Sequence, residues 1–312
     1  MADYLLKAIS KSGTIRAYAA VTTDTANAAF SIQKPAVLSG IILGNVLAAA
    51  GLVAGTLKGN RERISLLFRG NGKIGKAAAD ACADGKIRGY TANPQCEFLE
   101  DETDVKTQIL TAIGEASLLT VTKDLGLKQP YSGTINCATG DIGADLAYYF
   151  VHSEQIPSAV AVATIPVADG NGIEISGGYL IQQIPRDGGF GAKDEIELEK
   201  VIQTINSGIS LNSMLIKKMP PEEIIASLFA GVEFEILDKV NLSFECSCNR
   251  EVLLSALNMF DEAAKKEFLK SDEKIEVICE FCRNIYYITT EELVKYLKTG
   301  TNLTTQEGLN GK

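Results

Sequence analysis

The sequence predicts an α+β N-terminal domain, followed by a helical linker region and a small C-terminal zinc-binding α+β domain. Strand-like and helix-like segments mix up to about residue 186, without the regular alternation of a doubly wound sheet. Two charged helical segments come after a glycine-rich, turn-forming stretch at 185–191. Four cysteines in two close pairs near the C-terminus have the spacing of a metal site.

The chain is long for a single hydrophobic core. It has 312 residues, whereas domains usually contain about 100–200. We therefore predict four parts: an α+β domain at 1–187, a helical linker at 188–238, a zinc-binding domain at 239–292, and the end of a helix with a disordered tail at 293–312.

Short local patterns predict the elements of the first domain. The segments 13–18 and 85–90 are similar in sequence, which suits two strands of one sheet. A helix is expected to begin near residue 139, with the acids Asp141 and Asp145 in its first turn. Weak alternation or a short apolar run indicates strands at four places: 14–21, 63–68, 85–90 and 177–184.

The stretch 35–57 carries no charged residue and is long enough to span a membrane. Glycine, serine, threonine and asparagine residues dilute its apolar character, and nothing else in the chain has the pattern of a membrane protein. We therefore predict a helix buried in a protein core, and no membrane partner.

Two segments predict the helical linker. The segment 195–205 places apolar residues between charged ones. Pro220 and Pro221 then open a second helix with acids in its first turn, and Gly231 is placed to end it. Because this region is short and charged, we expect it to depend on its neighbours for stability.

The last domain contains two cysteine pairs, Cys246 with Cys248 and Cys279 with Cys282. Tetrahedral zinc takes four thiolates, and each pair can fill half of the coordination sphere. Helical segments lie between the pairs and strand-like segments flank the second pair: helices at 251–259 and 261–270, strands at 274–278 and 284–289.

Spacing alone leaves two interpretations of the zinc site. Closed four-thiolate sites are usually structural, so spacing by itself favours a zinc that holds a small module together. A redox switch is the alternative: 244–288 is too short for much of a core, and oxidation of the sulfurs would remove a metal worth on the order of 10 kcal/mol to folding. A thioredoxin-like site at Cys279 and Cys282 is disfavoured, because 285–289 is strand-like where a helix is required.

Other motifs predict no catalytic site, and hence no enzyme. The stretch 70–75 matches the glycine pattern of dinucleotide-binding loops, and 76–83 could form the helix that such a site requires. Gly85 and the strand-like segment 87–90 cut that helix short, so we interpret 70–75 as a turn. His152 is the only histidine, and no nucleophile is marked near it. Cys82, Cys96 and Cys137 have no partner spacing and are interpreted as idle thiols.

Charge and the N-terminus limit the partners and the compartment. Thirty basic and thirty-nine acidic residues give a net charge of −9, which repels phosphate backbones and argues against nucleic acid. Asp3 stands where a secretory leader is basic, and no apolar leader core follows. We therefore expect a cytoplasmic protein whose cysteines serve as thiols, metal ligands or redox groups.

The cysteine pattern is Cys-x-Cys followed by Cys-x-x-Cys. One known family combines this pattern with six upstream segments similar to those of this chain: 5–8, 15–20, 86–90 with 93–94, 121–127, 153–158 and 219–224. On these residues the chain resembles the redox-regulated 33 kDa chaperonin family over nearly its whole length. The combination of the cysteine pattern with the upstream segments is specific, whereas any single segment is not.

The resemblance implies an ATP-independent holdase that binds unfolding proteins under oxidative stress. In the reduced, inactive state one Zn²⁺ per chain is expected on Cys246, Cys248, Cys279 and Cys282. Oxidation is expected to form the disulfides Cys246–Cys248 and Cys279–Cys282, release zinc and unfold the linker. The first domain would bind clients and dimerise, and clients would pass to ATP-dependent chaperones. The resemblance favours this switch over the alternative, a binding module with purely structural zinc.

Overall fold

The computed structural model describes residues 2–100, 102, 104–137, 139–184, 192–208, 210–257 and 274–299. The chain divides into two compact units, one ending at Glu245 and one beginning at Cys246. Each unit has buried apolar clusters of its own. The α+β fold class predicted from the sequence is confirmed.

Two sheets form the frame of the first unit. The order is β10-β1-β2-β9-β8 in one sheet and β11-β5-β4-β3-β6-β7 in the other. Pairing is antiparallel throughout, except between β11 and β5. The strands are β1 (Tyr4–Ser10), β2 (Ile15–Val21), β3 (Arg63–Arg69), β4 (Lys76–Cys82), β5 (Lys86–Thr91), β6 (Ser117–Asp124), β7 (Tyr131–Cys137), β8 (Ser158–Pro166), β9 (Ile173–Gln183), β10 (Phe234–Asn241) and β11 (Ser243–Phe244).

The described part of the first unit contains seven helices: α1 (Thr23–Gln33), α2 (Val37–Ala54), α3 (Val105–Ile113), α4 (Ile142–Ser153), α5 (Ala192–Asn206), α6 (Leu211–Ile216) and α7 (Pro221–Phe229). The predicted strands at 14–21, 63–68, 85–90 and 177–184 correspond to β2, β3, β5 and β9. The helix predicted near residue 139 is α4, and Asp141 caps it by accepting hydrogen bonds from the Gly143 and Ala144 amides.

The uncharged helix α2 lies at the centre of the first unit. It is long and apolar enough to cross a membrane, but 94% of its residues are buried within the protein, as the sequence analysis predicted. It contacts strands of both sheets, and Leu47 belongs to the same buried cluster as Phe68 and Leu180. A Cβ atom at Gly44 would lie 2.5 Å from Thr164 Oγ1, so its glycine allows helix and sheet to approach closely.

A second buried cluster lies where α5, α6 and α7 contact the five-stranded sheet. Side chains on β1 alternate between the clusters, since Leu5 faces α2 whereas Tyr4 and Leu6 pack with the later helices. The linker helices contribute Leu211, Met214, Leu215, Ile224, Ile225, Leu228 and Phe229 to this cluster. Their stability therefore comes from the sheet beneath them rather than from a core of their own.

Two predictions about glycine segments have different outcomes. The stretch 70–75 is a turn between β3 and β4, closed by the Gly70 amide donating to the Gly75 carbonyl. A strand follows instead of the helix that a dinucleotide site requires, so the turn interpretation is confirmed. The similar segments 13–18 and 85–90 do not share a sheet, because β2 and β5 belong to different sheets. That prediction was wrong, since a local pattern indicates strand conformation but not the strand's partner.

The polypeptide returns to the first sheet after the linker helices. Strand β10 pairs with β1, placing Leu5 opposite Val240 and Ile9 opposite Glu235. Residues on both sides of position 238 therefore belong to one strand of the first unit. The functional division into four parts with boundaries at 187, 238 and 292 stays a prediction.

The second unit is small. It contains α8 (Arg250–Leu257), β12 (Ile275–Ile278), β13 (Ile285–Ile288) and α9 (Thr290–Thr299). The two strands form an antiparallel hairpin, and the strands predicted at 274–278 and 284–289 are confirmed. The helix predicted at 261–270, part of that at 251–259, and the predicted tail lie outside the described residues.

Candidate metal centre

Two short segments supply the cysteines of the second unit. Cys246 and Cys248 lie between β11 and α8, and Cys279 and Cys282 lie in the turn that joins β12 to β13. The Cys279 amide donates to the Asn284 carbonyl at 2.9 Å, and the Arg283 amide donates to the Cys279 carbonyl at 2.8 Å. These bonds close the turn so that both of its sulfur atoms face the first pair.

The four sulfur atoms form one compact group. All lie within 4.8 Å of one another. The Cys246 and Cys279 sulfurs are 3.8 Å apart, and those of Cys248 and Cys282 are 3.3 Å apart. Zinc–sulfur bonds of about 2.3 Å in a tetrahedron place sulfur atoms about 3.8 Å apart. The donor set therefore fits a single tetrahedral metal ion.

Tyr286 on β13 completes the immediate surroundings of the sulfur atoms. Its hydroxyl lies 3.2 Å from Cys248 Sγ and 3.2 Å from the Cys248 carbonyl oxygen. The hydrogen bond to Cys248 raises the pKa of Tyr286 to about 12. The sequence analysis did not identify this residue as part of the site. An aromatic hydroxyl four positions after Cys282, on a strand leaving the turn, was the available signal.

The thiols of the group differ in how readily they ionise. Burial opposes ionisation of Cys248, but hydrogen bonds from Tyr286 and from the other three cysteines outweigh it and lower its pKa. Burial raises the pKa of Cys282, and its contacts with the neighbouring thiols raise it further. Cys248 therefore loses its proton, as metal binding requires, more readily than Cys282.

The remaining candidates from the sequence do not join this group. Burial raises the pKa of Cys82 and of Cys96. Burial, with the nearby Asp145 carboxylate, raises the pKa of Cys137 to about 12, so these three thiols are protonated near neutral pH. His152 stacks on Tyr148 with ring centroids 3.7 Å apart, and its Nδ1 lies 3.0 Å from the Tyr148 carbonyl oxygen.

The family of this chain follows from its similarity to known proteins. A family model described as Hsp33 protein matches residues 3–289. The chain belongs to the Hsp33 family. The resemblance inferred from the cysteine pattern and the upstream segments is therefore confirmed. This chain carries a C-terminal cysteine group able to bind a metal, in keeping with the family.

Individual relatives agree with this assignment. The 33 kDa chaperonin of Citrifermentans bemidjiense is 37% identical over 308 residues, covering 99% of this chain and 100% of the relative. That of Caldanaerobacter subterraneus subsp. tengcongensis is 34% identical and covers 97% of this chain and all of the relative. A crystal structure of the Thermotoga maritima 33 kDa chaperonin superposes with a TM-score of 0.79 at 28% identity, covering 97% of this chain and 100% of that one. Hsp33 is a family of chaperones, which bind unfolded proteins.

Proposed function

We propose that this protein is a redox-regulated, ATP-independent holdase of the cytoplasm that binds unfolding proteins under oxidative stress. In the reduced state Cys246, Cys248, Cys279 and Cys282 hold one Zn²⁺ and the chaperone is inactive. Oxidation forms the disulfides Cys246–Cys248 and Cys279–Cys282, releases the metal and loosens the helical linker. The oxidised form is a homodimer that passes clients to ATP-dependent chaperones.

One observation carries the proposal: a four-thiolate group joins the segments of a unit that has little else to stabilise it. The buried core among the unit's described residues consists of Leu254, Ile288 and Leu293. Burying one such side chain contributes about 1.5–3 kcal/mol to stability. A structural zinc site contributes roughly 10 kcal/mol or more. Among the described residues of this unit, the metal would therefore contribute more to stability than any one of these side chains.

Oxidation would reverse this stabilisation. Each disulfide takes two electrons from two thiolates, and a peroxide that accepts the electrons is reduced to water with the uptake of protons. A disulfide sulfur no longer carries the charge that binds zinc. Both proposed disulfides close very short loops, so they restrict the unfolded chain little and restore little of the lost stability.

The pairing of the disulfides rests on the resemblance to the family. The shortest sulfur–sulfur distance, 3.3 Å, joins Cys248 to Cys282 and so crosses between the two pairs. Since all four sulfurs lie within 4.8 Å, distance alone does not select a pairing. Mapping the disulfides of the oxidised protein by peptide mass spectrometry checks this part of the proposal.

The fold offers a surface for unfolded chains. The face of the five-stranded sheet beneath α5, α6 and α7 carries buried apolar side chains, namely Tyr4, Leu6, Ile15, Tyr179 and Ile181. Release of the linker helices would expose this face together with the apolar sides of the helices themselves. An apolar surface of this kind binds non-native chains, so we propose it as the client-binding surface.

Light scattering of a heat-aggregating client tests the proposal. We expect the peroxide-treated, zinc-free protein to suppress aggregation and the reduced, zinc-loaded protein to have little effect. Cys82→Ser is the matched control, because this thiol lies outside the cysteine group, and it should behave as wild type. Equal suppression by the reduced and oxidised forms would support the alternative function, a module with purely structural zinc.

A further inference from the structure

A cavity of about 360 Å³ opens on the first unit. It lies over the middle of α2, beside β8, and between the first residues of α3 and α4. This volume is in the range of small-ligand sites. Its wall is partly apolar, formed by Ile41, Ile142 and Val162, and partly polar, formed by Asn45, Asp104 and Asp141.

Asn45 is the feature that marks this cavity as a binding site. The residue is only 7% exposed, and its side-chain oxygen is buried without a hydrogen-bond partner. A buried polar atom without a hydrogen-bond partner destabilises the fold, so the presence of Asn45 in the middle of a mainly apolar helix calls for a reason. Because no described residue donates a hydrogen bond to this oxygen, a half-turn about the terminal side-chain torsion can bring the oxygen to the cavity side.

Charges at the rim decide which kind of ligand fits. Asp104 and Asp141 cap α3 and α4, so the positive ends of both helices are already neutralised. Lys106 donates to Asp141 at 2.8 Å. Asp104 uses one oxygen, Oδ2, for its two bonds to Thr107, which leaves its other oxygen available as an acceptor. Two carboxylates against one ammonium give the rim a net negative charge.

We propose that this cavity binds an alkylammonium group. The ammonium donates hydrogen bonds to the Asn45 side-chain oxygen and to the Asp104 carboxylate, and it has no acceptor that would require a protein donor. Its alkyl chain packs on the apolar wall formed by Ile41, Ile142 and Val162. Such a group occurs both in free polyamines and in lysine side chains of peptides.

Isothermal titration calorimetry of the reduced, full-length protein tests this proposal. Putrescine represents the free amine, Nα-acetyl-lysine amide represents the peptide side chain, and butanol is the uncharged control. Saturable binding of either amine, without binding of butanol, is expected, and the stronger of the two identifies the source. Absence of binding by both amines would overturn the proposal.

Three variants test whether the amine binds in this cavity and whether its positive charge is recognised there. Asp104→Asn should weaken amine binding about tenfold, and it retains the helix cap because asparagine caps as well as aspartate. Asn45→Leu should weaken it similarly. Lys106→Met should tighten it about threefold, since a competing cation is removed.

Asp169→Asn is the matched control, because this aspartate accepts a hydrogen bond from the Asn171 amide in an exposed turn outside the cavity. It should leave amine binding unchanged. Weaker binding in Lys106→Met, or unchanged binding in Asp104→Asn, would show that the cavity does not recognise a cation through this rim and would overturn the proposal. None of these readouts depends on redox switching or on chaperone activity.

Discussion

The two units of this protein are stabilised in different ways. The first buries a continuous apolar helix between two sheets, and its largest cluster includes Leu47, Phe68, Leu119, Tyr149 and Phe150, each with no measurable exposure. In its described residues the second has one group of four cysteine sulfurs and one small cluster of three buried apolar side chains. Under the proposed function, removing one side chain from the first unit weakens it, whereas removing one sulfur from the second removes its main source of order.

This difference suits a stress sensor. Apolar burial does not respond to oxidants, because it involves no group that they attack. Thiolates respond directly. Burial raises the pKa of each of the three cysteines of the first unit, so these thiols are mainly protonated near neutral pH. Under the proposed function, oxidation therefore acts on the unit whose folding depends on the metal.

The largest effect is expected from Cys279→Ser. Loss of this buried ligand should abolish tight zinc binding and unfold the second unit, because metal binding and folding are coupled there. Hydrogen exchange should show loss of protection in β12 and β13 and retained protection in α2. Cys96→Ser, at a buried thiol of the first unit, is the matched control. A Cys279→Ser variant that keeps zinc and a protected hairpin would remove the contrast between the units.

A smaller effect, confined to the first unit, is expected from Leu47→Ala. Leu47 is fully buried, so its truncation should lower the free energy of unfolding of this unit by about 2–5 kcal/mol. Urea denaturation measures this change, and zinc content should stay at the wild-type value. Leu127→Ala, at a residue that is 69% exposed, should have little effect. Zinc loss in Leu47→Ala would show that the two units are not stabilised independently.

Tyr4→Phe probes how firmly the linker helix α7 is attached to the sheet. The Tyr4 hydroxyl donates to Glu222 at 2.5 Å, and the Lys239 ammonium lies 3.6 Å from the Tyr4 ring centroid. Losing this hydrogen bond should cost about 1–2 kcal/mol and accelerate hydrogen exchange in α7. Tyr131→Phe, which removes an exposed hydrogen bond to the Ser153 carbonyl, should not affect α7. Unchanged exchange in Tyr4→Phe would mean that apolar packing alone holds the helix.

The smallest effect is expected from Glu292→Gln. Hydrogen bonds from Arg250 and from Thr289 lower the pKa of Glu292 to about 2, so its stabilisation is present above the unfolded pKa of about 4.3 and is lost as the pH falls toward 2. The pair with Arg250 is largely exposed, so we expect a loss of at most about 1 kcal/mol at neutral pH.

Thermal unfolding of the zinc-loaded second unit at low and high salt measures this loss, which should shrink as salt screens the pair. Glu276→Gln, at an acid on β12, provides the control. A loss that is large and independent of salt would show that polar pairs rival the metal in this unit.

Local signals predicted the local structure well. The cysteine spacing identified the four residues that the fold brings together, and the uncharged stretch 35–57 identified the buried helix α2. Relations between distant segments could not be predicted in this way. Whether β2 and β5 share a sheet depends on long-range pairing, which a short similar motif does not encode.

Short or weakly patterned features were also missed. Helix α6 has six residues, too few for a periodic pattern. Tyr286 contacts Cys248 only because the hairpin of β12 and β13 places its strand beside the first cysteine pair. The cavity over Asn45 combines residues from α2, α3, α4, α6 and β8, which no single segment of the sequence reveals.

The most direct test of metal-dependent folding in the second unit is to measure zinc content and far-UV helicity before and after treatment with peroxide under mild heat. We expect zinc to leave in step with thiol oxidation, helicity to fall, and hydrogen exchange to show α2 still protected while β12 and β13 are not. A second unit that stayed metal-loaded and folded after its four thiols had been oxidised would contradict the proposed switch.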